Sequence, residues 1–266
     1  MNIEVRPIRP EDHGALIALW RRVFEDPEAL PAAFLRLLPE MGGGVAALAD
    51  GVLAGAAYIV TALGVGGKRA AYLYAVAVQP EYRGLGLGKA VTRAAAALGR
   101  AHGADFVCTL PASAPLYGWY EELIGTRCAL YRRSERLPAR ALFPVSPLSA
   151  AAYNARREAL LEGVPHLRLS DAAAEYERIN CRCFGGDFYA VGEGVAAASY
   201  DNGVLTVREL LCPDPSQRRP CAASVAARLG AERVTLFSPG EKDDEPFLAA
   251  EPGALGENCV WNLAFD

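Results

Sequence analysis

The amino-acid sequence predicts an α/β fold of the α+β kind. It predicts two tandem copies of one arrangement, each a mixed, mostly antiparallel sheet flanked by helices. Three observations support this. Short apolar runs are joined by glycine-containing turns, which is typical of antiparallel hairpins. Runs with helical periodicity separate these hairpins. The pattern of the first half of the chain also returns, weakly, after a proline-rich stretch.

The elements of the first half follow from local patterns. A strand and two helices come first: Ile3 to Ile8, Ala15 to Phe24, and Pro27 to Leu38. Three hairpin strands follow, with turns at Asp50-Gly51 and Gly66-Gly67: Val45 to Leu48, Val52 to Val60, and Ala70 to Val78. A helix, a strand, a helix and a strand complete the half: Ala90 to Arg100, Asp105 to Leu110, Ala114 to Leu123, and Arg127 to Arg133.

Composition and charge exclude several classes of function. The chain has 266 residues, 52% of them hydrophobic, and a formal net charge of −4. This size needs no disulfide or metal for stability, and the negative charge argues against a nucleic-acid partner. No apolar run is long enough to span a membrane, and no secretory signal opens the chain, so we expect no membrane partner. Seven cysteines without a C-x-x-C pair predict a cytoplasmic protein with reduced thiols and no metal.

The most informative stretch lies between the third hairpin strand and the next helix. It contains three glycines in seven residues: Arg83, Gly84, Leu85, Gly86, Leu87, Gly88 and Lys89. The first amides of a helix have no internal partner, and the helix dipole places partial positive charge there. A glycine-rich turn at this point can therefore surround a phosphate or pyrophosphate with main-chain donors.

Two other phosphate-binding patterns fit this stretch less well. A Walker-type loop needs glycine at the position of Arg83 and serine or threonine at the position of Ala90. A dinucleotide-binding fingerprint can start at Gly84, but Lys89 replaces its third glycine. Asp105 has the spacing of a ribose-binding acid, yet it opens an apolar run where such an acid should close one.

A third pattern, Arg/Gln-x-x-Gly-x-Gly/Ala, fits Arg83, Gly86 and Gly88. With the preceding strand, the run AVAVQPEYRGLGLGKAVTRAA resembles the acetyl-CoA signature of the GCN5-related N-acetyltransferase (GNAT) family. The resemblance implies an N-acetyltransferase that moves the acetyl group of acetyl-CoA to a primary amine by direct attack in a ternary complex. It also implies that the loop amides hold the pyrophosphate, and that the main chain of Val76 and Val78 pairs with the pantetheine arm.

The same resemblance suggests two tyrosines for the site. Many relatives protonate the leaving thiolate with a tyrosine in a Phe/Tyr-Tyr-x-x-x-Gly-Phe stretch. Here LYGWYEELIGT supplies Tyr120, but Gly125 comes one residue later than usual and Thr126 replaces the phenylalanine. Tyr120 is the first candidate for the catalytic acid. Tyr117 is the alternative, and we also count it among the cofactor-contacting residues.

The general base has no clear candidate in the sequence. Many relatives carry a glutamate on the strand before the loop, whereas Leu73 to Val78 contain no carboxylate. The chain also resembles acetyltransferases of the enhanced-intracellular-survival type, in which the terminal carboxylate reaches the active site. That resemblance makes Asp266 a catalytic candidate, delivered by a predicted final strand from Asn262 to Asp266. A base acting through water remains the alternative.

The second half predicts a degenerate copy. We predict a catalytic domain over 1–135, a proline-rich linker over 136–149, and a GNAT-like domain over 150–266. The positions that correspond to Arg83 and the three glycines are occupied by Ser216, Gln217, Arg219 and Cys221, so that no glycine remains there. Their side chains would block a close approach of pyrophosphate to the backbone. We therefore expect one acetyl-CoA per chain.

Two other functions stay open. The missing strand carboxylate favours a non-catalytic, acyl-CoA-binding regulatory protein. Transfer of a different acyl group is the other alternative. The acceptor amine, a small molecule or a peptide, and the oligomeric state do not follow from the sequence.

Overall fold

The computed structural model describes residues 1–201, 203–256, 258–263 and 265. The chain divides into two compact units. Unit 1 comprises Met1–Ala129 and Phe247–Glu257, and unit 2 comprises Leu130–Pro246 and Asn258–Asp266. These ranges differ from the predicted domains because a late segment of the chain completes unit 1, and no local sequence pattern reveals such a return.

Unit 1 is a six-stranded sheet with helices on both faces. Its elements are β1 (Ile3–Pro7), α1 (His13–Phe24), α2 (Ala29–Met41), β2 (Gly42–Ala49), β3 (Val52–Val65), β4 (Lys68–Val78), α3 (Leu87–Ala101), β5 (Phe106–Thr109) and α4 (Ala114–Ile124). Strand β6 (Arg127–Pro138) starts in this unit, and β13 (Glu245–Ala250) returns to it. The strand order is β1-β2-β3-β4-β5-β13. All neighbours are antiparallel except β4 and β5, which are parallel and joined by α3.

The two faces of this sheet are packed differently. On one face, small residues of α3 such as Val91 and Ala95 pack in a core cluster with Ile59 and Leu73. On the other face, rings of Trp20, Phe34, Tyr58 and Tyr74 lie with centroids 5.1–5.5 Å apart. Aromatic pairs at such separations add to the stabilisation from apolar burial. The aromatic layer fixes α1 and α2 on β3 and β4, and so fixes the strand that precedes the glycine-rich turn.

Unit 2 has an order of elements similar to that of unit 1, with one additional short strand between its first two helices. After β6 come β7 (Val145–Pro147), α5 (Ala150–Leu160), β8 (Leu167–Leu169), α6 (Asp171–Cys183), β9 (Asp187–Val191), β10 (Gly194–Asp201), β11 (Val204–Leu211), α7 (Arg218–Leu229) and β12 (Arg233–Pro239). The strand order is β7-β9-β10-β11-β12-β6. Parallel β11 and β12, joined by α7, correspond to β4 and β5, joined by α3. Ser149 and Ser170 cap α5 and α6 by accepting backbone N–H bonds.

Two predicted segments differ from the structure. The predicted linker over 136–149 contains the end of β6 and all of β7. Pro138 and Pro147 are the last residues of these strands, and β7 is an edge strand, positions where proline is tolerated. The predicted final strand is wrong for the described residues, because 261–263 and 265 have no regular structure. Their apolar alternation reflects burial instead: Phe265 packs edge-on against Tyr176 of α6, with centroids 5.3 Å apart.

Membrane insertion through a helix has no support in the described part of the chain. No described helix is long and apolar enough to span a bilayer.

Candidate active site

The glycine-rich turn leaves main-chain donors open at the start of α3. A short 3₁₀ turn from Pro80 to Tyr82 follows β4, and the backbone then runs through Gly84 and Gly86, both at φ +80°. This left-handed conformation is strained for residues with a Cβ atom. Gly86 is the N-cap of α3, and its carbonyl accepts from Ala90 at 3.1 Å. The amides of Leu87, Gly88 and Lys89 therefore have no partner within the helix.

A cavity of about 350 Å³ lies against this turn. The walls come from the end of β4, the turn, the start of α3 and one aromatic residue of α4: Val78, Tyr82, Arg83, Gly84, Gly86, Leu87, Gly88, Lys89 and Trp119. A Cβ atom built on Gly88 would lie 3.8 Å from Val78 and 3.9 Å from Trp119. It would meet no clash, but it would occupy space beside the open amides. The residues present therefore fit a flat, phosphate-bearing ligand, since main-chain donors line one wall and apolar side chains another.

Strands β4 and β5 part beside this cavity. They pair in parallel from Ala70 with Phe106 to Leu73 with Thr109. The Thr109 hydroxyl closes the pairing by donating to the Leu73 carbonyl at 3.0 Å. Just beyond, Ala75 has φ +46°, and Ala75 and Val76 lie together opposite a single residue of β3. This bulge bends β4 away from β5, so that the last part of β4 has an open main-chain edge.

The main chain of Val78 is directed towards this open edge. Gln79 donates its N–H to the Ala54 carbonyl of β3 at 2.9 Å. Since neighbouring residues of an antiparallel strand direct their main-chain groups to opposite sides, Val78 directs its own away from β3. In agreement, the Val78 carbonyl accepts from the Arg83 side chain at 3.3 Å. Val76 lies two residues before Val78 in the same strand and is part of the bulge.

Tyr120 lies where the two strands part. It is 7% exposed and belongs to the core cluster beneath α3. Burial raises the pKa of Tyr120 to about 12, and a hydrogen bond with the Thr109 side chain partly offsets this effect. Its hydroxyl therefore stays protonated at neutral pH. Tyr117 is half-buried, and its hydroxyl donates to the Phe247 carbonyl of β13 at 3.2 Å.

The two charged residues of the turn are exposed to solvent. Lys89 lies 3.6 Å from Glu122 of α4 in an exposed ion pair, which is worth little energetically. Leu85 is 50% exposed at the tip of the turn. The open strand from Tyr74 to Val78 carries no carboxylate, as its sequence shows. Asp266, the candidate for a terminal carboxylate, lies outside the described residues.

Three features of the site have no simple signal in the sequence. The positive φ of Ala75 is not predicted by an alanine in an alternating strand. Phe247 reaches the site from a distance of 130 positions along the chain. Trp119 lies in the stretch LYGWYEELIGT but is not predicted as a site residue. Its position directly before buried Tyr120 on a helix does place it on a different face of α4 from Tyr120.

The mixed, mostly antiparallel sheet flanked by helices matches the fold of GNAT acyltransferases. Residues 11–125 match the family model described as acetyltransferase (GNAT) family. The search of curated proteins found no match.

Three solved structures share this fold over most of the chain. A conserved protein of unknown function from Enterococcus faecalis V583 is 15% identical, with TM-score 0.69, covering 94% of this chain and 72% of that one. A GCN5-related N-acetyltransferase from Kribbella flavida is 16% identical, with TM-score 0.68 and coverages of 94% and 70%. Eis1 from Mycobacterium abscessus is 16% identical, with TM-score 0.61 and coverages of 93% and 73%. At these identities the likeness concerns the fold.

Proposed function

We propose that the protein is an acetyl-CoA-dependent N-acetyltransferase whose working site lies in unit 1. The observation that carries this proposal is the continuity of three features. Open amides at the start of α3 adjoin the cavity, the cavity adjoins the open edge of β4, and that edge leads to Tyr120. A pyrophosphate, an amide-bearing arm and a thioester follow one another in acetyl-CoA in the same order.

The residues of unit 1 would divide the work as follows. The amides from Arg83 to Lys89 bind the pyrophosphate, and main-chain groups of Val76 and Val78 pair with the pantetheine arm. A free N–H of this strand also stabilises the oxyanion that forms when the amine attacks the thioester carbonyl. The Tyr120 hydroxyl then donates its proton to the departing thiolate sulfur. Tyr117 positions α4 against β13 and contacts the cofactor.

The base and the acceptor are not assigned to residues of unit 1. The terminal carboxylate of Asp266 remains the proposal drawn from the resemblance, with an ordered water as its alternative. The acceptor is proposed to be a primary amine of a small molecule or a peptide. A cytoplasmic location is also proposed, and it rests on the sequence, in which seven cysteines occur without a C-x-x-C pair.

One acetyl-CoA is expected to bind per chain. In unit 2 the 3₁₀ turn Pro215–Gln217 leads directly into α7, without the intervening extended residues and glycines of unit 1. This is the basis for proposing that unit 2 is a degenerate tandem copy. Isothermal titration with acetyl-CoA should give a stoichiometry near one, whereas two equivalent sites would contradict the proposal.

Replacing Tyr120 by phenylalanine should lower turnover by ~10²-fold, the usual scale of a lost general acid. The affinity for acetyl-CoA should change little, because the ring and its packing remain. Turnover is measured as free thiol released with a panel of primary amines. Tyr58→Phe is the matched control, since it removes the hydroxyl of another buried tyrosine of unit 1 that does not line the cavity. A Tyr120→Phe variant as active as the wild type would remove Tyr120 from the mechanism.

The missing strand carboxylate favours a second candidate, a non-catalytic protein that binds acyl-CoA. The same titration combined with the amine panel separates the two. Tight binding without thiol release above the rate without amine would favour the regulatory protein. Mass spectrometry of the co-purifying CoA species would show whether the acyl group is acetyl or a different one.

A further inference from the structure

A basic cavity of about 510 Å³ occupies the position in unit 2 that corresponds to the glycine-rich turn of unit 1. It is lined by residues at the start of α7 and by the neighbouring strands β6 and β12. Three arginines and one carboxylate line it: Arg133, Arg218, Arg219 and Glu135. Ser216 and Ser238 also line it, and the Ser216 hydroxyl donates to the Asp214 carboxylate at 2.7 Å.

The charges in this cavity are not balanced. Arg219 is paired with Glu135 at 2.8 Å. Among the described residues, Arg133 and Arg218 form no ion pair. Two positive charges therefore remain together in a chain whose net charge is −4. Arg133 lies directly opposite Ser238 in the pairing of β6 with β12, and this pairing fixes the position of the Arg133 backbone beside the cavity.

Arg218 carries a polar atom that the protein leaves unsatisfied. Its Nε is buried and has no hydrogen-bond partner in the described part of the chain. Its Nη2 donates a long hydrogen bond of 3.4 Å to the Phe237 carbonyl. Burial lowers the pKa of Arg218; the charges of Cys212 and Glu135 oppose this shift, and that of Arg133 adds to it. A buried donor without an acceptor costs stability, so such groups call for an explanation, and a bound anion is one.

The chemistry of these groups indicates the anion. The planar guanidinium fork matches the oxygens of phosphate better than a spherical ion such as chloride. A phosphate monoester carries nearly two negative charges at neutral pH and would balance the two unpaired arginines. The cavity is larger than one phosphate group and falls in the size range of small-molecule sites. Side-chain donors here take the place of the main-chain donors of unit 1.

We propose that this cavity of unit 2 binds the phosphate group of a phosphorylated small molecule through Arg218 and Arg133. This inference is independent of the function proposed for unit 1, because no residue of the two sites is shared.

The test uses inorganic phosphate as the probe and three full-length proteins. Wild type, Arg218→Gln and the matched control Arg156→Gln are titrated calorimetrically at constant ionic strength. Arg156 is an exposed arginine of α5 in the same unit, so both variants lose one charge. Any phosphate that binds at the turn of unit 1 is common to all three proteins and cancels. The expected result is unchanged binding for Arg156→Gln and a loss of roughly tenfold in affinity for one phosphate in Arg218→Gln.

Two outcomes overturn the proposal. One is phosphate binding by Arg218→Gln that equals that of Arg156→Gln. The other is displacement of phosphate by an equal concentration of chloride, which would mean unspecific attraction. If Arg218→Gln fails to fold, as thermal unfolding would show, the exposed Arg133→Gln variant takes its place with the same expected loss. Acetyl-CoA binding is measured in parallel for each protein. A failure of the phosphate site proposed for unit 2 can then be distinguished from a failure of the acetyl-CoA site proposed for unit 1.

Discussion

Replacing Gly86 by valine is expected to lower the affinity for acetyl-CoA about 100-fold. Gly86 has φ +80° and is the N-cap of α3, and a β-branched residue avoids this conformation. To relieve the strain, the backbone dihedral angles at residue 86 must change. The N–H groups of Leu87 and Gly88 then no longer converge on the pyrophosphate position. Hydrogen bonds from such donors to a charged phosphate are worth about 1.5–3 kcal/mol each. Losing one or two of them corresponds to roughly two orders of magnitude in Kd.

Gly51→Val is the control for the cost of strain alone. Gly51 has φ +82° in the β2–β3 turn of the same unit, and a Cβ atom there would also meet open space. Both variants should lose comparable stability in thermal unfolding. Only Gly86→Val should lose acetyl-CoA binding in a titration. If the affinity of Gly86→Val matches that of Gly51→Val, the turn does not hold the pyrophosphate and the proposed function of unit 1 should be given up.

The elements that carry the site were predictable because their signals are local. Glycines at Asp50-Gly51 and Gly66-Gly67 mark the hairpin turns that the structure contains, and the alanine-rich run after Gly88 forms α3. The family's fold followed from the same stretch. Helix periodicity suffices here because each helix packs one face on the sheet, whereas the strands, buried on both faces, are marked by the turns that bound them.

What the sequence did not predict depends on distant parts of the chain. Ala75, at φ +46°, lies where β4 continues along β3 beyond its pairing with β5, which ends at Leu73. The partner of β5 on its other side comes from Phe247–Ala250. The apolar alternation near the end of the chain predicted a strand, but it serves to bury Leu263 and Phe265. Alternation reports burial, and only pairing partners decide whether a strand forms.

Replacing Glu209 by glutamine should lower the free energy of unfolding of unit 2 by about 3 kcal/mol. Glu209 is fully buried and accepts from Arg157 Nε at 2.8 Å and from the Tyr153 hydroxyl at 2.7 Å. Arg157 is also fully buried, and it donates to the Leu167 carbonyl. The amide of glutamine cannot neutralise the guanidinium, and an unpaired buried charge costs about 3–5 kcal/mol. Glu158, 3.3 Å from Arg157, keeps the loss at the lower end.

Two further variants make the interpretation specific. Asp187→Asn breaks the more exposed pair with Arg178, in which the side chains are 21% and 16% exposed, and should cost about 1 kcal/mol or less. The triple variant Tyr153→Phe/Arg157→Met/Glu209→Leu removes both buried charges and the hydroxyl that donates to Glu209, and it should recover part of the loss, because well-packed apolar residues can replace a buried ion pair. Urea unfolding gives the energies, and hydrogen exchange of amides in α5 and β11 assigns them to unit 2. A Glu209→Gln variant no less stable than Asp187→Asn would show that this buried pair does not hold α5 on the sheet.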